Sequence, residues 1–147
     1  MGRVEEINIG PFGEVPAPVE NAEAHAGKGL AGNRYYFESG AKPGQALTLI
    51  AAEALEGLAA EHGIELSAAE SRRNVLTRGI DLNALVGKRF RVGDVECEGV
   101  ELCEPCSDLE AMTRPGVIKG LVHRGGLNAD ILTDGVISVG DSVVEIA

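Results

Sequence analysis

Short apolar runs recur along the chain, and most of them have the length and the alternation of β-strands. The chain opens with a strand pattern through Val4, Ile7 and Ile9 that ends at Gly10-Pro11. The run 45–51 is almost wholly apolar and predicts a buried strand. These patterns indicate a protein in which strands supply most of the core.

Helical patterns are fewer and shorter. Residues 51–63 combine strong helix formers with leucines at helical spacing, and Gly63 predicts where this helix ends. Ser67 followed three residues later by Glu70 predicts a capping box, which starts a short helical turn. A further short helix is predicted at 109–112.

The rest of the chain predicts strands and one long loop. The polar, glycine-rich stretch 21–43 predicts a loop with a short strand at 35–37, because it lacks sustained periodicity. Gly93-Asp94 predicts a hairpin between two strands. The final strands are expected to form a meander that closes a barrel. The strands predicted after the first helix lie at residues 75–82, 85–92, 95–102, 129–132, 136–139 and 143–146.

These elements predict one domain, residues 1–147, of the α+β class with a predominance of β-structure. We expect a twisted, partly closed, barrel-like sheet with one or two short helices. Aromatic residues make up only 3% of the chain and Trp is absent. The core is therefore expected to consist of Val, Ile and Leu.

The formal net charge of -10 restricts the partners that the protein is expected to bind. Nucleic-acid binding is not expected, because phosphate neutralisation needs an excess of Lys and Arg. The N-terminal segment has no apolar core of a signal peptide, and no run approaches the roughly 18 residues of a membrane span. The chain has three cysteines, an odd number, and shows no export signal. This combination favours reduced thiols and a cytoplasmic protein.

Cys106 is the candidate for reactive chemistry. In the sequence C-E-P-C, Pro105 prevents a regular helix and favours a turn that presents the thiol. A thiolate is a nucleophile and a soft metal ligand, although a cytosolic cysteine is often a small buried residue instead. Cys103 is the alternative reactive thiol. Cys97, in the alternating sequence VECEGVEL, is expected to face the core.

The spacing of Cys103 and Cys106 also permits two other interpretations. C-x-x-C occurs in redox dithiols and in half of a zinc site. A zinc site needs two further ligands, and Cys97 and the three histidines offer no pair at ligand spacing. A dithiol switch remains open on the sequence alone.

Candidate anion-binding residues fall in two places. Arg72, Arg73 and Asn74 follow the capped turn and precede a strand, where guanidinium groups can bind a phosphate in bidentate fashion. A solvated charge run is the alternative, and it applies most to Arg72. Arg124, followed by two glycines, is typical of an anion-binding turn. His123 beside it is interpreted as structural.

Five segments in this order resemble the MOSC domain, the C-terminal domain of molybdenum cofactor sulfurases, which also occurs alone in bacteria. The segments cover most of residues 29–146. They are GLAGNRYYF (29–37), QALTLIAAEAL (45–55), SRRNVLTRGIDLNALVGKRFRVGDVECEG (71–99), LCEPCSDLE (102–110) and RGGLNADILTDGVISVGDSV (124–143).

The resemblance implies a β-rich fold that binds the molybdenum cofactor, molybdopterin, or a sulfur atom destined for it. It implies that Cys106 is the catalytic residue and the metal ligand. One departure is that the family commonly has Gly-Asp-Arg where this chain has Gly32-Asn33-Arg34, so any role needing a carboxylate at Asn33 is in doubt. The residues implied in cofactor binding are Arg34, Arg73, Asn74, Arg124 and Asn128.

Three functions are compatible with these residues. The first is molybdenum-dependent redox chemistry, in which an electron-donor reductase would be the partner because the chain has no second cofactor motif. The second is a sulfur carrier that holds a persulfide on Cys106 and receives its sulfur from a partner such as a cysteine desulfurase. The third is a non-catalytic β-barrel binding module that has lost the metal.

Overall fold

The computed structural model describes residues 2–146 and is built around a barrel of seven strands. The eleven strands are β1 (Gly2–Ile9), β2 (Ala17–Val19), β3 (Asn21–His25), β4 (Gly29–Leu30), β5 (Leu47–Ala51), β6 (Val75–Arg78), β7 (Arg89–Val92), β8 (Val95–Leu102), β9 (Leu127–Ile131), β10 (Gly135–Ser138) and β11 (Ser142–Ile146). The helices are α1 (Ala52–His62), α2 (Ala68–Ser71), α3 (Ser107–Met112) and α4 (Val117–Leu121), with a 3₁₀ turn at Leu82–Leu85.

The barrel closes through the two ends of the chain. Its strands follow the order β11, β7, β8, β9, β5, β6, β1, and β1 then pairs with β11 at Gly2↔Val143 and Arg3↔Ser142. All neighbours are antiparallel except β5 and β6, which the crossover helix α1 connects. The sheet is therefore closed, where the sequence predicted a partly closed one.

Alternation along the strands fills the barrel interior. In β7 and β8 every second side chain is buried, which places Phe90, Val92, Val95 and Cys97 in the core. Gly99 continues the series, and there the backbone of Leu85 comes so close that no side chain would fit. The core is otherwise aliphatic, as the composition predicted.

A second, three-stranded sheet is formed by β10, β3 and β4. Its existence contradicts two predictions. The stretch 21–43 contains two strands and is not one long loop, and β9, β10 and β11 do not form a meander. Instead β10 pairs with β3 in register Ile137↔Ala22, and β11 joins β1 and β7. Alternation reveals that a segment is a strand, but it does not reveal which strand lies beside it.

Helices α1, α3 and α4 pack around a small apolar cluster of their own. The structure confirms α1 with its left-handed cap at Gly63, and the reciprocal capping box of Ser67 and Glu70. It also confirms a helix at 109–112, within α3. Helix α4 was not predicted, and residues 2–146 contain four short helices where one or two were expected. The cluster consists of Leu58, Leu66, Leu109, Val117 and Leu121.

Three strand predictions were wrong in extent or kind. Residues 35–37 are not a strand, because Tyr36 N–H bonds to the Asn33 carbonyl in a turn and Phe37 N–H bonds across to the Lys28 carbonyl. The strands predicted at 75–82 and 85–92 are shorter, since the 3₁₀ turn occupies the residues between them. The apolar residues Leu82 and Leu85 of that turn are buried, which explains why their pattern resembled that of strands.

Candidate functional site

A pocket of about 690 Å³ opens beside the start of α3. Its lining comes from the segment before β6, the end of β8, the start of β9 and the loops around residues 12, 34 and 43. It contains both cysteines of C-E-P-C together with Arg34, Arg73 and Asn128. The structure therefore brings four residues that were predicted for the site, Cys106 included, to one cavity.

The three thiols differ sharply in exposure. Cys106 is exposed and lies at the residue before α3, in an extended backbone conformation. Cys103 is half-buried, and burial raises the pKa of its thiol although the nearby Arg73 guanidinium opposes the rise. Cys97 is fully buried in β8, and burial raises the pKa of its thiol to about 12. Only Cys106 presents its sulfur openly at the pocket, and the position of Cys97 in the core confirms its sequence-based interpretation.

Arg73 is buried beneath the pocket and connects three segments of backbone. Its Nε donates to the carbonyl of Gly125 at 2.8 Å, Nη1 to that of Ser71 at 3.0 Å and Nη2 to that of Cys103 at 3.0 Å. Because a guanidinium has its donors in a fixed plane, it can hold these carbonyls in one arrangement. Arg73 thus positions the cysteine segment and also places a buried positive charge beside Cys103.

Arg34 reaches the pocket from a turn that Asn33 fixes. The side-chain oxygen of buried Asn33 accepts from Gly10 N–H at 3.4 Å, and the Arg34 N–H donates to the Gly10 carbonyl at 2.9 Å. An amide oxygen suffices for this contact, so a carboxylate at position 33 is not needed for it. Arg34 Nη2 donates to the Arg72 carbonyl, whereas Nη1 is buried and has no hydrogen-bond acceptor within residues 2–146.

The pocket also concentrates positive charge that is not neutralised by ion pairs. Eight of the thirteen Lys and Arg side chains form ion pairs with carboxylates among the described residues. Four of the remaining five line this pocket, where only Glu101 and Asp108 contribute negative charge. In a chain with a net charge of -10, this is a local positive site. The four are Arg34, Lys42, Arg72 and Arg73, and the fifth, Lys119, lies elsewhere.

Asn74 and Asn128 occupy different positions relative to the pocket. Asn128 lines it directly from β9. Asn74 is buried, exchanges hydrogen bonds with Thr48 at 2.9 and 3.1 Å, and donates through Nδ2 to the Asn8 carbonyl. It therefore joins β5 to β1 below the pocket, and its neighbour Thr48 is the residue that faces the cavity.

Arg124 is not brought to this pocket. Its Nη1 donates to Glu61 at 2.8 Å and its Nε to the Gly120 carbonyl, and it borders a separate cavity of about 510 Å³ near Asp81. The Arg124 guanidinium lowers the pKa of the Glu61 carboxyl. This ion pair explains the position of the Arg124 side chain, because it is bound to an acid on α1. Its role in cofactor binding stays a prediction without support from its position.

His123 stabilises the cysteine segment from outside. Its backbone N–H and its ring Nδ1 lie 2.7 and 3.0 Å from the two carboxylate oxygens of Glu104. Glu104 stands between the two cysteines, and Cys103 N–H donates to the Gly126 carbonyl. The loop around residue 124 and the cysteine segment are therefore fastened together, in agreement with the structural role predicted for His123.

The apolar rim of the pocket was not predicted from the sequence. Phe12 is 66% exposed and Met112 54% exposed, and both line the cavity. Phe12 packs edge-to-face on Tyr35 at 5.7 Å between ring centroids, and Arg34 lies over the Tyr35 ring. An isolated Phe after Gly10-Pro11 carries no signal in one sequence, so only the fold could reveal this rim.

Neither alternative for C-E-P-C gains support from the geometry. Within residues 2–146, no three His, Cys, Asp or Glu side chains are grouped as a metal site would require. Helix α3 begins only after Cys106, and the backbone from Cys103 to Cys106 contains no hydrogen-bonded turn. Across the same residues, no helix is long and apolar enough to cross a membrane.

Comparisons with known proteins identify the class to which this closed barrel belongs. The family model of the MOSC domain matches residues 25–144, so the chain belongs to the MOSC domain family. This confirms the resemblance found in the sequence.

Solved structures support the same fold. The YUAD protein from Bacillus subtilis is similar with a TM-score of 0.82 and 16% identity, over 97% of this chain and 94% of that one. YiiM from Geobacillus stearothermophilus gives a TM-score of 0.79 and 17% identity, over 100% of this chain and 76% of that one. YiiM from Escherichia coli gives 0.72 and 17%, over 99% and 70%. A search of curated proteins finds no match.

Proposed function

We propose that this protein binds the molybdenum cofactor in the pocket beside α3, with Cys106 as the metal ligand. The observation that carries the proposal is the meeting of the exposed thiol with four cations that have no ion-pair partner within residues 2–146. The cofactor requires both features, because its metal takes soft sulfur ligands and its pterin bears a phosphate.

The hydrogen-bond donors and cations of the pocket are the test of whether it fits this cofactor. The buried Nη1 of Arg34 lacks an acceptor within residues 2–146, and a phosphate oxygen is a strong acceptor for a guanidinium. Lys42 and Arg72 add two further cations, and Asn128 and Thr48 add neutral polar groups. A volume of about 690 Å³ lies within the range of small-molecule sites. The residues present therefore fit an anionic organic cofactor with a sulfur-seeking metal.

Each residue has a separate task in this proposal. Arg34, Lys42 and Arg72 bind the phosphate, and Asn128 donates or accepts hydrogen bonds on the pterin. Arg73 keeps its bonds to the backbone and holds Cys106 in place through the Cys103 carbonyl. Bound there, the cofactor would supply a metal able to exchange electrons with a substrate. An electron-donor reductase is the partner that such redox chemistry would need.

Metal analysis of the protein made in a host that synthesises the cofactor tests the proposal. We expect near-stoichiometric molybdenum in the natural chain and a loss of most of it in Cys106→Ser. Lys119→Gln removes a cation outside the pocket and should retain the metal. Circular dichroism confirms that each variant is folded. Absence of molybdenum from the natural chain would contradict the proposal and leave sulfur carriage or a non-catalytic binding module.

Sulfur carriage is the second candidate function, and the exposure of Cys106 favours it. A persulfide needs an open thiol from which a partner can remove the sulfur, and Cys106 is the exposed one of the three. A cysteine desulfurase would be the partner that loads it. Sulfur released by cyanide from the natural chain, but not from Cys106→Ser, would support this candidate.

A further inference from the structure

The charge around Cys106 bears on which sulfur compounds could react with it. We infer that Cys106 accepts a sulfur atom from small anionic sulfane donors, with thiosulfate as the simplest member of the class. The inference rests on the sulfur-carrier candidate above and is independent of cofactor binding. It adds the chemical class of the donor, a small molecule that needs no docking protein.

The pocket is the place where an anion can approach this acidic protein. Salt screens charges beyond roughly 8 to 10 Å, so the cations lining the cavity outweigh acids on distant faces. Arg34, Lys42 and Arg72 line the cavity without carboxylate partners among the described residues, and Arg73 lies buried beneath it. Arg34 Nη1 has no acceptor within residues 2–146, and an anion that reached it would provide one. Charge and hydrogen bonding thus favour the same ligand.

Three acids near the thiol have to be weighed against these cations. Glu101 and Asp108 line the same cavity, and Glu104 precedes Pro105. Glu104 is engaged with His123, with its two oxygens 2.7 and 3.0 Å from the backbone and ring nitrogens. The cavity lining therefore keeps four cations against two carboxylates, an excess that still favours a dianion such as thiosulfate.

The transfer of sulfur from thiosulfate to Cys106 needs no additional oxidant. The Cys106 thiolate attacks the outer sulfur of thiosulfate and forms a new S–S bond. The S–S bond of thiosulfate breaks, and sulfite leaves with the electron pair. The products are the Cys106 persulfide and sulfite. Cyanide then attacks the outer sulfur of the persulfide, which yields thiocyanate and regenerates the thiolate.

The first test measures charge selection at Cys106 without sulfur transfer. Two thiol reagents of the same reactive group, anionic sulfonatoethyl and cationic trimethylammonioethyl methanethiosulfonate, are compared by their rate of modification. Lys42→Glu and Lys119→Glu change the net charge equally, but only Lys42 lines the pocket. We expect Lys42→Glu to lower the rate with the anionic reagent about five- to tenfold, and Lys119→Glu to lower it less than about twofold. Equal effects would overturn the inference.

The second test follows sulfur itself. Natural protein with thiosulfate and cyanide should form thiocyanate, Cys106→Ser should form none above the uncatalysed rate, and Lys42→Glu should lose activity where Lys119→Glu does not. Failure of the natural chain to use thiosulfate would overturn the inference. Loading by neutral colloidal sulfur is the control: if that sulfur becomes cyanide-labile on Cys106 and thiosulfate is inert, sulfur carriage stands and the anionic donor class is wrong.

Discussion

Replacement of Arg73 by Ala should destabilise the fold far more than replacement of its neighbour Arg72. Arg73 is buried and makes three hydrogen bonds to backbone carbonyls at 2.8 to 3.0 Å. Hydrogen bonds to charged groups contribute about 1.5 to 3 kcal/mol each, but carbonyls beside a pocket can regain water. We therefore expect a loss of about 3 to 5 kcal/mol, less than the sum of three bonds.

Arg72→Ala is the matched control, because it removes the same charge. Arg72 is half-buried and makes one side-chain bond, to the Glu14 carbonyl at 3.1 Å. Its loss should cost less than about 1 kcal/mol. Arg73→Lys keeps the charge but cannot reach three carbonyls from one nitrogen, so it should recover less than half of the lost stability.

Urea unfolding followed by circular dichroism measures these differences. With a slope of about 2 kcal/mol/M, Arg73→Ala should lower the midpoint by about 1.5 to 2.5 M. Arg72→Ala should lower it by less than about 0.5 M. A change below about 1 kcal/mol in Arg73→Ala, or equal changes in both variants, would refute the claim that Arg73 holds the loops of the pocket together.

Three further predictions concern the thiols and the cysteine segment. A thiol reagent should modify Cys106 quickly, Cys103 slowly and Cys97 only after unfolding; rapid modification of two thiols in the native protein would contradict the exposures. Stability should fall as pH rises above about 8.5, because the unfolded Cys97 thiol loses its proton there and the buried one only near pH 12. Cys97→Ala should flatten this fall, which amounts to up to about 5 kcal/mol, and an unchanged slope in urea titrations would refute it. In Gly125→Ala the new methyl group would collide with the Cys103 carbonyl, so the rate of Cys106 modification should change at least about twofold.

Local patterns predicted the elements of this fold better than their arrangement. The capping box at Ser67 and the stop at Gly63 are encoded by neighbouring residues, and both are confirmed. The partners of β10 and β11 are not encoded locally, because any strand with one apolar face fits several neighbours. The predicted meander failed for this reason. The turn at Tyr35 was misjudged because aromatic residues favour strands, while the backbone there bonds locally.

For the candidate site too, the residues were predicted better than their partners in space. The position of Cys106 beside Arg34, Arg73 and Asn128 agrees with what the resemblance implied, although their roles remain predictions. Arg124 was grouped with them because Arg-Gly-Gly is typical of an anion turn, but a glutamate 63 residues away pairs with it. Among the described residues the pocket cations lack ion-pair partners, and this could only be learned from the fold, since it depends on where the acids lie.

We propose Cys106 as the ligand of a molybdenum cofactor in the cationic pocket. X-ray absorption at the molybdenum edge tests it most directly, on cofactor-loaded natural protein and on Cys103→Ser and Cys106→Ser. We predict that the natural chain and Cys103→Ser have the same sulfur shell, and that any metal retained by Cys106→Ser has one sulfur fewer. An identical sulfur shell in Cys106→Ser, with the metal fully retained, would contradict the claim.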